Sequence, residues 1–256
     1  MSLEQVIRKD YDVIIAAGDF HIPFEDKKAT SILKQYLKER QPDTLIFNGD
    51  FLDCYSLSKF TKDPSRITQL QDDINYARKE LRQYRKLLPN ADIYYMIKGA
   101  NHEERLQKYL WSKAPELAKL EGLRIEKLLE LDELGIKPIT DRIWISLGNE
   151  LLITHGDLVR KFSGYSAKGM FDKHGKSILM NHTHRLGAHY HRNATGMHAA
   201  FENGCMCDLN PEYIFNPDWQ QGFSIIYKKK GKNRFYVEQV PIIDGVAIIE
   251  GKEYRG

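Results

Sequence analysis

Five short segments, far apart in the chain, carry residue types that bind divalent cations. They are Asp19-Phe20-His21, Gly49-Asp50-Phe51-Leu52-Asp53, Asn101-His102-Glu103, Thr154-His155-Gly156-Asp157 and Asn181-His182-Thr183-His184. The donors are carboxylate oxygen, imidazole nitrogen and one amide oxygen, with no thiolate among them. That mixture suits Mn, Fe, Zn or Mg rather than a structural cysteine–zinc site. Two cations about 3.5–4 Å apart answer a specific chemical difficulty, because the oxygens of a phosphate ester repel an anionic nucleophile. Such a pair polarises the phosphoryl group and lowers the pKa of a water between them. The centre then needs a carboxylate shared by both cations and enough neutral donors to preserve Lewis acidity. This chain has candidates for both.

The elements that must position these residues are readable from apolar patterning. Residues 13–17, 44–48 and 93–97 are short β-branched and apolar runs that predict buried parallel strands. Between them, residues 27–40 carry Ile32, Leu33, Tyr36 and Leu37 at helical spacing, and residues 67–88 carry Leu70, Ile74, Ala77, Leu81 and Leu88 on one face. Strands alternating with helices imply βαβ units, whose strand ends bring ligands to one crevice. Asp19 and His21 follow the first strand and can turn toward one cation. Asp50 ends the second strand and is the candidate for the shared carboxylate. Gly18 and Gly49 permit close or unusual backbone paths. Asn101 offers a neutral amide oxygen to a second cation, and His155 follows the strand at 151–154. An extended backbone would send His182 and His184 the same way.

The series resembles the calcineurin-like metallophosphoesterase superfamily. Its motifs are Asp-x-His, Gly-Asp-x-x-Asp, Gly-Asn-His-Glu/Asp, a histidine after a strand, and Gly-His-x-His. The match runs in order across residues 19–184, about two thirds of the chain. The resemblance implies an α/β (mixed α+β) fold, a four-layer sandwich of two mixed β-sheets flanked by helices. It implies that Asp19, His21, Asp50 and His184 hold a first metal, and Asp50, Asn101, His155 and His182 a second. His102 would face the substrate and protonate the leaving group, Asp53 would lie behind the ligands, and Glu103 would orient His102 or a ligand. Manganese is the expected metal of the pair, with Fe, Zn, Mg or Ni as alternatives.

Departures from the pattern are few. Ala100 separates Gly99 from Asn101, Asn181 stands where the family has Gly, and Asp157 where many members carry His. Asn181 is a mild change because Asn tolerates left-handed backbone angles. Cys54 stands where the protein Ser/Thr phosphatases of this superfamily place a phosphate-gripping Arg, and a guanidinium fork is hard to replace. The resemblance is therefore nearer the phosphodiesterase and nuclease branch, with its phage and bacterial members. The stretch at 204–222, with Tyr213, Trp219 and Gly222, resembles the phage-type subgroup. The expected function is dinuclear-metal-dependent phosphodiester hydrolysis of DNA or nucleotides. A phosphomonoesterase and a non-catalytic metal-bound scaffold are the alternatives.

Composition bounds the rest. The 256 residues are 42% apolar and 29% charged, which suits one domain over 1–256. Within it, residues 103–137 read as a helical excursion, interrupted by Pro115 and Gly122, and 222–256 as C-terminal β-hairpins. A hairpin is also expected across Gly148-Asn149. A net charge of +3 does not by itself announce a polyanion partner. Cys54, Cys205 and Cys207 offer no disulfide framework, so packing and a reducing cytoplasm are expected, the host's if the gene is a phage's. Residues 1–10 lack an apolar leader core, and no apolar run approaches the ~20 residues of a membrane span. Arg185 is a candidate phosphate contact, while Arg105 reads as a solvated salt bridge. Lys228, Lys229, Lys230, Lys232 and Arg234 crowd a turn able to grip nucleic acid or simply to keep a hairpin tip soluble. Tyr55, Phe60, Tyr109 and Trp111 are aromatics able to stack a base. His174, His189, His191 and His198 read as surface residues. Self-association, if present, would use the 103–137 helices.

Overall fold

Strand β1 (Tyr11–Ala17) is apolar on both faces, and its alternation divides the molecule into layers. Val13, Ile15 and Ala17 join a core shared with helices, whereas Ile14 and Ala16 join a second core behind them. In the computed structural model, which describes residues 10–148, 150–211 and 214–256, β1 is central to a six-stranded sheet. Its order is β11 (Phe235–Ile242), β10 (Gln221–Lys229), β1, β2 (Thr44–Phe47), β3 (Asp92–Met96) and β4 (Ile136–Ile139). Strands β1 to β4 run parallel, β10 pairs antiparallel with β1, and β11 pairs antiparallel with β10. Helices α1 (Lys27–Arg40) and α2 (Leu70–Leu87) cover the outer face with Ile32, Leu33, Tyr36, Ile74, Leu81 and Tyr84. The side chain of Asp26 caps α1 by accepting the Ala29 N–H at 2.8 Å.

The second sheet has the order β5 (Ile145–Leu147), β6 (Leu151–Thr154), β7 (Ser177–Met180), β9 (Gly196–Asn203) and β8 (Leu186–Asn193). Strands β6, β7 and β9 are parallel, with antiparallel β5 and β8 at the edges. Leu151, Ile153, Leu179 and Phe201 meet Ile14, Ala16, Ile46 and Ile226 between the sheets. Leu152, Ile178 and Met180 point the other way, onto α5 (Tyr165–His174). The result is helix, sheet, sheet, helix: a four-layer mixed α/β sandwich. Each fully buried aliphatic side chain in these layers contributes roughly 1.5–3 kcal/mol.

Several elements differ from expectation. Residues 103–137 are only partly helical. They hold α3 (Glu104–Lys113), single 3₁₀ turns at Pro115–Leu117 and Glu121–Leu123, the short α4 (Ile125–Leu128), and the start of β4. Pro115 cannot extend α3, and Pro138 is accommodated because β4 is a sheet edge. Helix α5 and the β8–β9 hairpin had no reading in the sequence. The chain closes in a separate hairpin, β12 (Val246–Ile249) with β13 (Lys252–Arg255). The expectations for residues 1–9, for Asn149 in its turn and for Tyr213 lie outside the described residues. No helix among the described residues is long and apolar enough to cross a membrane.

The parallel strands of both sheets end on the same side, and buried amides join the sheets there. Asn48 Nδ2 donates to the Thr154 carbonyl at 2.7 Å and to Asn181 Oδ1 at 2.8 Å. Asn203 Nδ2 donates to the Ala16 carbonyl at 3.0 Å and to Asn181 Oδ1 at 3.2 Å. The basic turn lies at the opposite end, since Lys229 pairs with Tyr11 at the start of β1, while Asp19 follows its end. Seven residues of strand separate them by roughly 20 Å. Lys229 there binds Asp10 at 2.7 Å.

Candidate metal centre

The turns after β1, β2, β3, β6 and β7 carry the donors to one mouth. Asp19, His21, Asp50, His182 and His184 all adopt left-handed backbone, with φ of 53°, 53°, 50°, 75° and 59°. Each such non-glycine residue costs about 1–3 kcal/mol, and such residues concentrate where function over-determines the backbone. His182 and His184 are thus not extended, and they turn to different partners. Gly18 is required by space: a Cβ there would lie 2.7 Å from Asn181 Cγ. Gly49, at φ 88°, would place a Cβ 2.7 Å from His155 Nδ1. Asn181 does not use the left-handed tolerance credited to it. Its side chain is a buried hub, accepting from Asn48 and Asn203 and donating to Asp19 Oδ2 and the Gly204 carbonyl, both at 3.1 Å.

Glu103 explains how the Asp50 turn is held. Its carboxylate accepts the N–H groups of Asp50 (2.9 Å), Phe51 (2.8 Å) and Leu52 (3.2 Å), and the Tyr95 hydroxyl (2.9 Å). Burial and the neighbouring Asp50 charge push Glu103 up to about 7. It orients the Asp50 backbone, one of the two roles expected of it.

At one pole, His21 Nε2 and His184 Nε2 face each other at 3.1 Å. Asp19 Oδ1 lies 3.5 Å from the second and 3.9 Å from the first, and Asp50 Oδ2 lies 4.0 Å from His21 Nε2. Behind them, His21 Nδ1 meets Asp53 Oδ2 at 2.9 Å. Burial and the nearby His102 hold His21 down at about 4, so it is neutral at neutral pH. Its Nδ1–H donates to Asp53, which leaves the Nε2 lone pair pointing into the pole. Asp19 Oδ1 is buried without a hydrogen-bond partner. Converging lone pairs and an orphaned carboxylate oxygen fit a bound cation. Against burial, the neighbouring Asp19 carboxylate raises His184.

At the other pole, His155 Nδ1 lies 3.1 Å from the Asn48 carbonyl, which fixes it as the donor. Its Nε2 faces Asp50 Oδ2 and Asn101 Oδ1, each at 3.2 Å. Ligand atoms of Asp50, His155 and His182 lie within 4.8 Å of one another. Burial works against charge on His155, but Asp50 and then Asp19 outweigh it and push the imidazole up to about 10. His182 is lowered by burial and by His155. Asp50 faces both poles, and its pKa is far below the ordinary range because His102 and His155 outweigh its burial.

A third cluster adjoins the mouth. His102 Nδ1 lies 3.0 Å from the Asp53 carbonyl and 3.2 Å from Asp53 Oδ2, and its Nε2 lies 3.6 Å from Asp50 Oδ2. Burial lowers the His102 pKa, yet Asp50 and Asp53 raise it overall. Arg105 was read as a surface salt bridge, but it reaches this cluster. Its Nη1 donates to Asp53 O (2.9 Å) and Oδ1 (3.0 Å), and Nη2 lies 3.0 Å from His102 Nε2. The signal for it was available, because residues three apart at a helix start share a face. Arg185 donates instead to the carbonyls of Arg160 (2.8 Å) and Lys161 (3.1 Å). Cys207 Sγ lies 3.9 Å from His184 Nδ1, a closeness that packing alone did not predict. Burial and Cys205 keep it a protonated thiol. The Trp219 ring stands 4.1 Å from that of His184. Tyr55 shares a small recess with His21 and Asp53, whereas Phe60, Tyr109 and Trp111 are exposed.

The sequence model of calcineurin-like phosphoesterases matches residues 12–218, which contain all of these donors. The chain belongs to the calcineurin-like phosphoesterase family. It is accordingly a phosphoric ester hydrolase of a dinuclear, metal-dependent kind, and its His/Asp clusters suit that chemistry. The phosphoesterase is 27% identical to the Gene 54 protein of Mycobacterium phage D29 over 255 residues, 93% of this chain and 96% of that one. It is 25% identical to the Gene 54 protein of Mycobacterium phage L5 over 259 residues, 94% and 98% of the two chains. Among solved structures, it is similar to Vacuolar Protein Sorting 29 from Cryptosporidium parvum. That match has 12% identity and a TM-score of 0.48, covering 96% of this chain and 100% of that one.

Raised imidazoles predict that the phosphoesterase exchanges protons for metal. At pH 7, His155, pushed up to about 10, holds a proton that must leave before its Nε2 can act as a donor. Filling the second pole should therefore release about one proton, and affinity should rise with pH. Titration calorimetry in buffers of different ionisation enthalpy measures this directly. A proton release of zero would contradict the reading of His155.

Proposed function

We propose that this phosphoesterase is a phosphodiesterase acting on nucleotide-type esters. Asp19, His21, Asp50 and His184 would hold one cation, and Asp50, Asn101, His155 and His182 the other. When bound, the two cations, manganese first among the candidates, polarise the phosphoryl group and activate water. His102 then stands as proton donor to the departing oxygen, held by Asp53. The observation that carries the diester reading is the cationic supply at the mouth. Position 54 offers a buried thiol where a guanidinium would grip a dianionic monoester. Arg105 reaches His102, but it is partly neutralised by Asp53. A monoanionic diester needs less positive charge, and its alkoxide leaving group needs a proton donor, the role proposed for His102.

The distant basic turn gives no support to a long DNA duplex gripped at this mouth, so small nucleotide diesters are the preferred class. Buried free thiols and mycobacteriophage relatives favour a reducing host cytoplasm as its place of work. The deciding experiment compares bis-p-nitrophenyl phosphate with p-nitrophenyl phosphate, on metal-stripped enzyme and after Mn²⁺ addition. Mn²⁺-dependent cleavage that favours the diester is expected. A clear preference for the monoester would move the protein to the phosphomonoesterase reading.

A further inference from the structure

An apolar cavity of 160 Å³ adjoins the second pole. Trp144, Leu152, Met170 and Ile178 form its walls, and Gly99 and Gly156 lie along its inner side. Those two glycines fall within two residues of Asn101 and His155, whose donor atoms are 3.2 Å apart. Thr154 and Gly156, which flank His155, both line the cavity, so it lies beside the turn that carries that donor. It reaches the surface at Ile143 and Trp144, which are 41% and 37% exposed. The Trp144 ring is braced edge-on by His174, with centroids 5.8 Å apart. Lys173 and Asp157, paired at 3.0 Å, sit at the rim.

The geometry points to a subsite for one planar ring carried on an ester arm of the substrate. Size supports this, since an apolar cavity of about 150 Å³ holds a benzene molecule. Chemistry supports it as well. The lining offers the Trp144 side chain, the Met170 thioether and aliphatic carbon, all favourable to a flat aromatic ring. The rim offers one donor and one acceptor to the edge of a heterocycle. The shared ligand chemistry is a single planar ring, supplied either by a nucleobase or by an aryl ester. Asp157, which stands where many family members have histidine, is then part of this rim through its bond to Lys173.

The catalytic half of this inference rests on the phosphodiesterase reading, whereas its binding half does not. The binding test uses the full-length, metal-free chain with ¹³C-labelled methionine methyls. Phenol and thymidine are titrated separately while the Met170 methyl resonance is followed. A saturable shift is expected, and it should vanish in Ile178→Phe, which fills the cavity. Trp144→Ala, a change at the surface lip, repeats the test should Ile178→Phe not fold. A response to thymidine alone assigns a nucleobase, and a response to phenol alone assigns an aryl ester. The kinetic test compares phenyl and methyl p-nitrophenyl phosphate on the Mn²⁺ enzyme. The phenyl diester should have a kcat/KM about tenfold higher, a ratio that shrinks toward one in the variants. Absence of any saturable Met170 shift overturns the subsite, whatever the hydrolysis rates. A shift without hydrolysis of either diester supports the subsite and overturns the activity assigned above.

Discussion

Asp50→Asn should lower kcat/KM by more than about a thousandfold, because it removes the charge on which both poles depend. Its Oδ2 lies 3.2 Å from His155 Nε2, 3.6 Å from His102 Nε2 and 4.0 Å from His21 Nε2. Asparagine has the same shape, and it can still accept the His102 backbone N–H that Oδ1 now accepts at 3.1 Å. The turn should therefore survive while the electrostatics do not. Without that carboxylate, His155 also loses the largest force that raises its pKa. Metal content measured by plasma mass spectrometry should fall below two per chain. A variant that keeps both metals and the wild-type rate would show that Asp50 is not the shared ligand.

His102→Gln should produce a different signature. Metal content should stay at two, because His102 is not among the proposed donors. The rate should fall by about 10²–10⁴ for diesters with an alkoxide leaving group, and much less for p-nitrophenolate, which departs without a proton. The pH dependence has a definite sign. His102 is raised above its ordinary 6.5, and a proton donor must be protonated, so its contribution is present at low pH and is lost as pH climbs past that raised value. The variant should lack this alkaline limb. Equal losses for both kinds of leaving group would remove His102 from proton transfer. Arg105→Met gives the contrast: a KM raised about tenfold with no dependence on the leaving group.

The sequence was most informative where function and strand pattern coincide. Asp50 follows a β-branched run, and a carboxylate at such a point has few structural uses, so the two signals reinforce each other. The layering entered only through the family resemblance; the pattern itself showed buried strands, and the structure shows β1 and β6 burying alternate residues in different cores. Strand β8 was not legible, because an exposed edge carrying His189, His191, Arg192 and Asn193 shows no apolar period. The left-handed angles at His21 and His184 leave no trace in composition. They are imposed by tertiary contacts, just as the hub role of Asn181 depends on amides 133 and 22 residues away. Cys207 approaches His184 across 23 residues of chain, and Arg185 turns to the carbonyls of residues 160 and 161. Neither could be inferred from local spacing.

The seam between the two sheets has a consequence for how the molecule is assembled. Asp19, His21, Asp50 and Asn101 hang from the first sheet, while His155, His182 and His184 hang from the second. Each pole therefore draws donors from both halves of the chain, and neither half alone can complete one. In the folded protein, imidazoles from the later half, His155 and His184 among them, balance the carboxylates of Asp19 and Asp50 from the earlier one. The centre closes only after the second sheet has docked and the Asn48–Asn181–Asn203 amides have engaged. Cations held as proposed would act as rivets through two plates, and prying the sheets apart would mean giving up both ions.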